Sequence, residues 1–294
     1  MKAPPVACTD APPQADAQRR AFLGGSAAAA ASLLQLPGCA HRVISGEPAS
    51  TPDASSPHET EVPISGSAWA RQSGVRHAGT QSVVPETPAS HWFHFPLPGK
   101  RQTRYRPESN GGRDALAVLA DSSASMVRRR IWVPAAQLGE CHFSWRVPDL
   151  LAGADMGHVD LDDAPVRVGL VFDGDRSRFS ARNLMMSELS LALTGEPMPY
   201  AILMYVWSKH RPVGQVLNNP RTDRIRKLVV ESGGARQGQW IDYMRPIRTD
   251  FRAAFGEDPG PLIGISLMSD TDNTRSRAAP WYGPVQVTTS MPGP

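Results

Sequence analysis

The chain has 294 residues, of which 40% are hydrophobic and 20% are charged, and its formal net charge is +3 at pH 7. These values allow one sizeable folded core and exclude the concentrated positive charge of a nucleic-acid-binding protein. The sequence also has no uninterrupted apolar run of the roughly 18–20 residues that a membrane-spanning helix needs.

The N-terminal segment predicts export. Arg19 and Arg20 precede a short, weakly apolar stretch of small residues, which is typical of a secretory signal. The pattern resembles a twin-arginine leader, the type read by the translocase of folded proteins. Residues 36–39, Leu-Pro-Gly-Cys, resemble a lipobox, in which the cysteine is acylated and becomes the mature N-terminus. We therefore expect residues 1–39 to be a signal segment that ends in a lipidated Cys39.

The expected location follows from this leader. Ala40 after the cysteine favours the outer membrane, so the sequence predicts a protein on the periplasmic side of the cell envelope, anchored by lipid. Cleavage near Ala40 by the ordinary signal peptidase is the alternative.

Residues 40–90 differ from the rest in composition. Pro, Ser, Thr, Gly, Ala and Glu dominate, and the few apolar residues are scattered without a period. Such a segment buries too little apolar surface to offset its ordering entropy. We expect a flexible tether here, followed by a folded domain over residues 91–290.

Within the domain, apolar side chains alternate over many short segments that are separated by Gly, Pro, Asn and Asp turns. About eight or nine strands are predicted, among them residues 131–133, 143–147, 166–172, 201–207, 228–230, 240–244, 262–268 and 285–289. The expected fold is all-β, an antiparallel β-sandwich of jelly-roll type with one or two short helices.

Two segments break the alternation. Residues 182–193 predict an amphipathic helix, because Met185, Met186, Leu189 and Leu193 are spaced to share one face. Residues 250–255 predict a short helix that ends at Gly256.

A series of short motifs resembles an uncharacterised bacterial family. It runs from Asp162-Asp163-Ala164-Pro165, through Tyr205 and Trp207, residues 229–233 (Val-Val-Glu-Ser-Gly) and Gly238-Gln239-Trp240, to residues 270–274 (Asp-Thr-Asp-Asn-Thr) and Tyr282-Gly283. Over roughly residues 93–287 the chain is similar to the domain of unknown function 3047, found in exported or envelope proteins. The resemblance implies one exported domain and no particular activity.

Cys141 is the only cysteine beyond Cys39. It has no partner for a disulfide within the mature chain, and adjacent residues of a strand point to opposite faces, so His142 cannot easily activate it. We expect a buried structural cysteine.

Acidic residues cluster in loops before and after the predicted strands. Ca²⁺ prefers oxygen ligands, and the Asp270-x-Asp272 spacing supplies them, although Arg275 replaces the glycine that an EF-hand requires. A structural Ca²⁺ held by Asp270 and Asp272 is one interpretation. Aspartates that cap turns and pair with arginine are the other.

Aromatic and hydrogen-bonding residues together favour sugar binding. Trp145, Tyr205 and Trp207 are expected in the core, and Trp240, Trp281 and Tyr282 at the surface. The predicted ligand-binding residues are Asp162, Asp163, Arg167, Trp240, Arg245, Asp270, Asp272, Asn273 and Tyr282.

Three functions stay open at this point. The preferred hypothesis is an envelope lipoprotein whose domain binds a carbohydrate or a similar polar ligand. A glycoside hydrolase or polysaccharide lyase that uses the loop aspartates is the second hypothesis, since hydrolysis needs two carboxylates at a set separation. A structural scaffold without a small ligand is the third.

Overall fold

The computed structural model describes residues 63–290, so the predicted signal segment, Cys39 and the first part of the predicted tether lie outside the described residues. The described chain contains three α-helices: α1 (Ala68–Arg71), α2 (Ala181–Thr194) and α3 (Ile247–Phe255). Its strands are β1 (Gly74–Arg76), β2 (Trp92–Pro96), β3 (Arg104–Asn110), β4 (Arg113–Asp121), β5 (Ala124–Val133), β6 (Leu138–Arg146), β7 (Ala164–Phe172), β8 (Ala201–Ser208), β9 (Val216–Asn218), β10 (Ile225–Ser232), β11 (Trp240–Pro246), β12 (Leu262–Asp270), β13 (Arg277–Ala278), β14 (Trp281–Tyr282) and β15 (Gln286–Thr289).

The strands form two sheets. The eight-stranded sheet has the order β1-β15-β6-β14-β4-β13, with β11 paired to the other edge of β6 and β3 paired to β4. The seven-stranded sheet has the order β2-β5-β12-β7-β8-β10-β9. All pairings are antiparallel except β1 with β15 and β8 with β10.

Alternation along the strands builds the core between the sheets. On β6, Cys141, Phe143 and Trp145 are fully or almost fully buried, and on β7 Val168 and Leu170 are buried opposite them. The predicted β-sandwich is therefore confirmed, as are the buried Cys141 and the core positions of Trp145, Tyr205 and Trp207. None of the helices in residues 63–290 is long and apolar enough to cross a membrane.

The prediction that the domain begins at residue 91 needs correction. From residue 63 onward the chain is part of the sandwich: Trp69 is buried, packs against Trp92, and donates a hydrogen bond from Nε1 to the Gly283 carbonyl at 2.9 Å. Val75 on β1 is also buried, and β1 pairs with β15. A few large apolar residues suffice here because they complete an existing core, which a compositional argument over the whole segment overlooks.

Helix α2 lies where the sequence predicts it, but it is oriented differently. The expected apolar face is largely solvent-exposed, with Met185 63% and Leu189 50% exposed, whereas the polar Asn183 and Ser187 are buried. Asn183 is held by Asp223 and Thr222, on the loop between β9 and β10. Hydrogen bonds of this kind, together with the packing of Met186 against the core, hold this side of the helix towards the sheet.

Helix α3 confirms its prediction. It ends at Gly256, whose φ of +70° is in the left-handed region that glycine adopts without strain. Phe251 is buried on its inner side.

Candidate functional site

Most of the predicted acidic residues meet at one end of the seven-stranded sheet, where they form a buried charge network of Asp162, Arg167, Lys227 and Asp270. The Arg167 guanidinium donates to both oxygens of Asp270, at 2.8 and 2.9 Å, and to Asp162 Oδ1 at 3.0 Å. Lys227 Nζ lies 2.6 Å from each oxygen of Asp162. The four residues are at most 7% exposed, so two cations and two carboxylates neutralise one another away from solvent.

The environment of this network shifts its titration. Burial, opposed by the charge of Arg167, raises the pKa of Asp270 to about 6. Burial and the nearby charge of Arg167 lower the pKa of Lys227 to about 8. Both shifts disfavour the charged form because desolvation is the largest cause in each case.

The two carboxylates of the predicted calcium site lie close together, and Asp163 joins them. Ligand oxygens of Asp163, Asp270 and Asp272 all lie within 4.8 Å of one another. Each carboxylate also has protein partners: Asp270 has Arg167, Asp272 forms an ion pair with Lys100, and Asp163 accepts from Thr274. Cation and hydroxyl partners already occupy these oxygens, and calcium binding stays a prediction.

Tyr282 and Asn273 complete this end of the sandwich. Tyr282, expected at the surface, is fully buried, because its ring crosses the core from the eight-stranded sheet. Its hydroxyl donates to the Met268 carbonyl at 2.6 Å and accepts from the Arg167 amide at 2.9 Å. These contacts bridge the point where the pairing of β12 with β7 shifts register. The backbone amide of Asn273 donates to Asp163 at 3.2 Å.

This arrangement leaves little room for a ligand. Asp163 is 1% exposed, and the space beside it has a volume of about 10 Å³, less than one sugar ring requires. The loop aspartates therefore do not line a cleft in the described chain, and the hydrolase hypothesis finds no support from them.

Arg245 lies apart from the network. It is half-buried on β11 and forms a two-point ion pair with Asp250 in the first turn of α3, at 2.6 and 2.9 Å. Asp250 also accepts from the Tyr205 hydroxyl at 3.0 Å. This contact fastens α3 to the sheet, and Arg245 is thereby engaged within the protein.

The outer face of the eight-stranded sheet is different, because half-buried aromatic side chains lie across it. Arg146 on β6 is directly opposite Trp240 on β11 and directly opposite Trp281 on β14. Residues opposite each other on adjacent strands share a face, so the three side chains form one row, which we call the aromatic row. The two tryptophans are two strand spacings, roughly 10 Å, apart.

Gly283 and Arg113 set the position of Trp240. A side chain at Gly283 would clash with the Ser144 hydroxyl and would lie in ordinary van der Waals contact, 3.6 Å, with the Trp240 ring, so the ring packs directly over this glycine. The Arg113 guanidinium lies 5.4 Å from the centre of the Trp240 ring and forms a two-point ion pair with Asp242. The hairpin between β3 and β4 thus reaches over to β11.

A groove of about 480 Å³ lies beside the aromatic row. It is lined by polar groups that suit sugar hydroxyls, with His142 and Ser144 from β6, Asp242 from β11, and Asp114 from β4 among them. Gln72, Pro284 and Gln286 also line it. Aromatic faces and planar polar side chains are therefore adjacent on one open surface.

Of the nine predicted ligand-binding residues, only Trp240 lies on this surface. Sequence reasoning also placed Trp281 at the surface, and it is half-buried with its Nε1 donating to Glu108 at 2.7 Å. It missed Arg113, Arg146 and Asp242. Their alternation with buried neighbours was visible, but the pairing of β6 with β11 and β14 was not, since these strands are far apart in sequence.

The fold and this surface define a β-sandwich domain with one aromatic, groove-bearing sheet face. The chain belongs to the family described as "Protein of unknown function (DUF3047)", whose model matches residues 90–286. This confirms the resemblance that the sequence motifs indicated.

Two solved structures are among those to which the chain has a low similarity. The family 11 carbohydrate-binding module of the cellulosomal cellulase Lic26A-Cel5E of Clostridium thermocellum is 7% identical, with a TM-score of 0.34 over 68% of this chain and 88% of that one. The xyloglucanase domain of NopAA from Sinorhizobium fredii, in complex with cellobiose, is 9% identical, with a TM-score of 0.38 over 70% of this chain and 96% of that one. No curated protein sequence matches the chain.

Proposed function

We propose that this domain binds a carbohydrate on the outer face of its eight-stranded sheet. The observation that carries the proposal is the aromatic row of Trp240, Arg146 and Trp281 beside a polar groove of about 480 Å³. Sugar rings have apolar C–H patches that pack on aromatic faces, and hydroxyls that bind planar carboxylate, amide and guanidinium groups. The row supplies the first requirement and the groove supplies the second.

The site that we propose differs from the set expected from the sequence. Asp162, Asp270 and Arg167 serve to hold the sandwich together, since they are buried and paired with one another. The proposed ligand-binding surface is instead the exposed outer face of the eight-stranded sheet, which a ligand can reach without any opening of the core. A groove open to solvent also suits a polymer, which can extend beyond it at both ends.

The test is binding of a glycan panel by the whole domain, with three alanine variants. Trp240→Ala and Trp281→Ala each remove a ring of the aromatic row, and each should weaken binding at least about tenfold, as expected when an aromatic anchor of a binding surface is truncated. Trp132→Ala is the matched control, because Trp132 is 63% exposed on β5 of the other sheet. A scaffold without a small ligand would show no binding to any glycan. Equal losses from all three variants would place the site elsewhere.

We also propose that the protein is an exported envelope lipoprotein acylated at Cys39. The twin-arginine pattern and the lipobox support this proposal, and an anchored glycan-binding domain would hold its ligand close to the membrane. Metabolic labelling with a fatty acid tests it. Wild-type protein should carry the label and Cys39→Ser should not; an unlabelled wild-type protein would contradict acylation.

A further inference from the structure

One cation of the aromatic row lacks a countercharge. The Arg146 guanidinium is fixed by two hydrogen bonds, from Nε to the Gly238 carbonyl at 2.7 Å and from Nη1 to Asn110 Oδ1 at 2.9 Å. Both acceptors are neutral. Within residues 63–290 Arg146 forms no ion pair, and its Nη2 group makes no hydrogen bond.

Two neighbouring arginines on the same face are neutralised. Arg113 forms a two-point ion pair with Asp242, at 2.7 and 3.2 Å, and Arg106 pairs with Glu108 at 2.8 Å. Arg146 is half-buried among aromatic rings, with its guanidinium 5.5 Å from the centre of the Trp281 ring. Partial burial of a positive charge without a partner is unfavourable, so a bound anion would be stabilised here.

We propose that the aromatic row recognises an acidic sugar, a uronate, whose carboxylate binds Arg146. This inference rests on the function proposed above and names its substrate class. A sugar ring packed on Trp281 or Trp240 lies one strand spacing, about 4.8 Å, from Arg146, which is within reach of a carboxylate attached to that ring. The planar guanidinium matches the two oxygens of a carboxylate, and its two existing hydrogen bonds orient it before the ligand arrives.

The experiment compares two polymers that differ only in charge: polygalacturonate and its carboxyl-reduced, neutral counterpart. Wild-type protein should bind the acidic polymer at least about tenfold more tightly, as expected for one charge-assisted contact. Arg146→Gln should bind both polymers with the affinity that the wild type shows for the neutral one. Arg146→Lys keeps the charge without the planar fork, and it should lose most of the preference.

Arg182→Gln is the charge-matched control, because Arg182 is exposed on α2, away from the eight-stranded sheet. It should leave both affinities unchanged, and a thermal melt of each variant verifies folding. Equal binding of the two polymers by the wild type, or an unchanged preference in both Arg146 variants, would overturn the uronate assignment. If the uronate assignment fails in this way but the neutral polymer binds and Trp240→Ala abolishes that binding, carbohydrate binding on this face is retained and only the uronate assignment is rejected. If neither polymer nor any other glycan binds, both proposals fail.

Discussion

At the scale of single residues, the most consequential contacts are those of the buried charge network. Asp162 is shared by two cations, Arg167 and Lys227, and all three side chains are buried. Burying an ion pair gains little relative to apolar packing, but removing one partner leaves a charge uncompensated in a region of low dielectric. Asp162 therefore matters for stability more than either of its contacts taken alone.

Asp162→Ala should accordingly destabilise the domain by about 3–5 kcal/mol, the cost of breaking a buried pair. Urea unfolding measures the change in the free energy of unfolding. Asp242→Ala removes a carboxylate whose side chain is 67% exposed in its pair with Arg113, and it should cost less than about 1 kcal/mol. Similar costs for the two variants would mean that the network is not a buried one.

Lys227 gives a pH-dependent prediction. Folding lowers its pKa from 10.5 to about 8, so its contribution to stability is present above the unfolded pKa and is lost as pH falls through about 8. Lys227→Met, which does not titrate, should gain stability relative to the wild type when pH is lowered from about 10 to about 7. Urea midpoints of both proteins at the two pH values test this. A difference that stays constant with pH would contradict the depressed pKa.

At the scale of elements, Tyr282 links β14 of one sheet to the register shift between β7 and β12 of the other. Tyr282→Phe keeps the ring but leaves the Met268 carbonyl and the Arg167 amide without their partner. We expect a loss of about 1–3 kcal/mol, the penalty for leaving buried polar groups unsatisfied. Tyr200→Phe is a control: among the described residues the Tyr200 hydroxyl bonds only to Glu257, and Glu257 keeps its ion pairs with Arg178 and Arg224, so this variant should cost less. Equal midpoints for wild type and Tyr282→Phe in chemical unfolding would contradict the bridging role.

Elements also show what a sequence can and cannot predict. Strands β6, β7, β8 and β12 were predictable because their apolar side chains alternate or run continuously over seven or more positions. The hairpin β3–β4 was not predictable, since β3 is mostly polar. Strand β14 was not predictable either, because it has only two residues. The inner side of α2 was misjudged because Asn183 is fixed by partners on a distant loop, which periodicity does not reveal.

The same limit applies to the candidate site. Asp162 and Asp270 were both among the predicted ligand-binding residues, and they do converge, yet only the fold shows that Arg167 lies between them. Trp240 and Trp281 were recognisable as surface aromatics, but their common row depends on β6 lying between β11 and β14. Long-range strand pairing thus determines both that the acidic residues are buried in ion pairs and where the surface site lies.

At the scale of the whole molecule, the segment before residue 91 belongs to the folded unit. A domain that begins at residue 91 would lack α1 and β1, and with them the buried Trp69 and Val75. Loss of large core side chains costs about 3–5 kcal/mol for each tryptophan, a large part of the stability of a typical domain. We expect residues 91–294 to be unfolded or to melt far below residues 58–294 in circular dichroism. Equal melting temperatures would show that α1 and β1 are dispensable.

The two faces of the sandwich carry different tasks in this account. The acidic end of the seven-stranded sheet is closed and stabilises the fold, whereas the outer face of the eight-stranded sheet is open and is the proposed binding surface. Three of the seven tryptophans can distinguish the two surfaces experimentally. Trp240 and Trp281 lie on the proposed binding face, and Trp132 lies exposed on the other sheet.

The most direct measurement is therefore an NMR titration of the indole N–H signals with the best-bound polymer of the glycan panel, assigned by single Trp→Phe variants. Our account predicts that the signals of Trp240 and Trp281 shift or broaden as the glycan is added, while the signal of Trp132 stays in place. Unchanged Trp240 and Trp281 signals at a glycan concentration that saturates binding would contradict it.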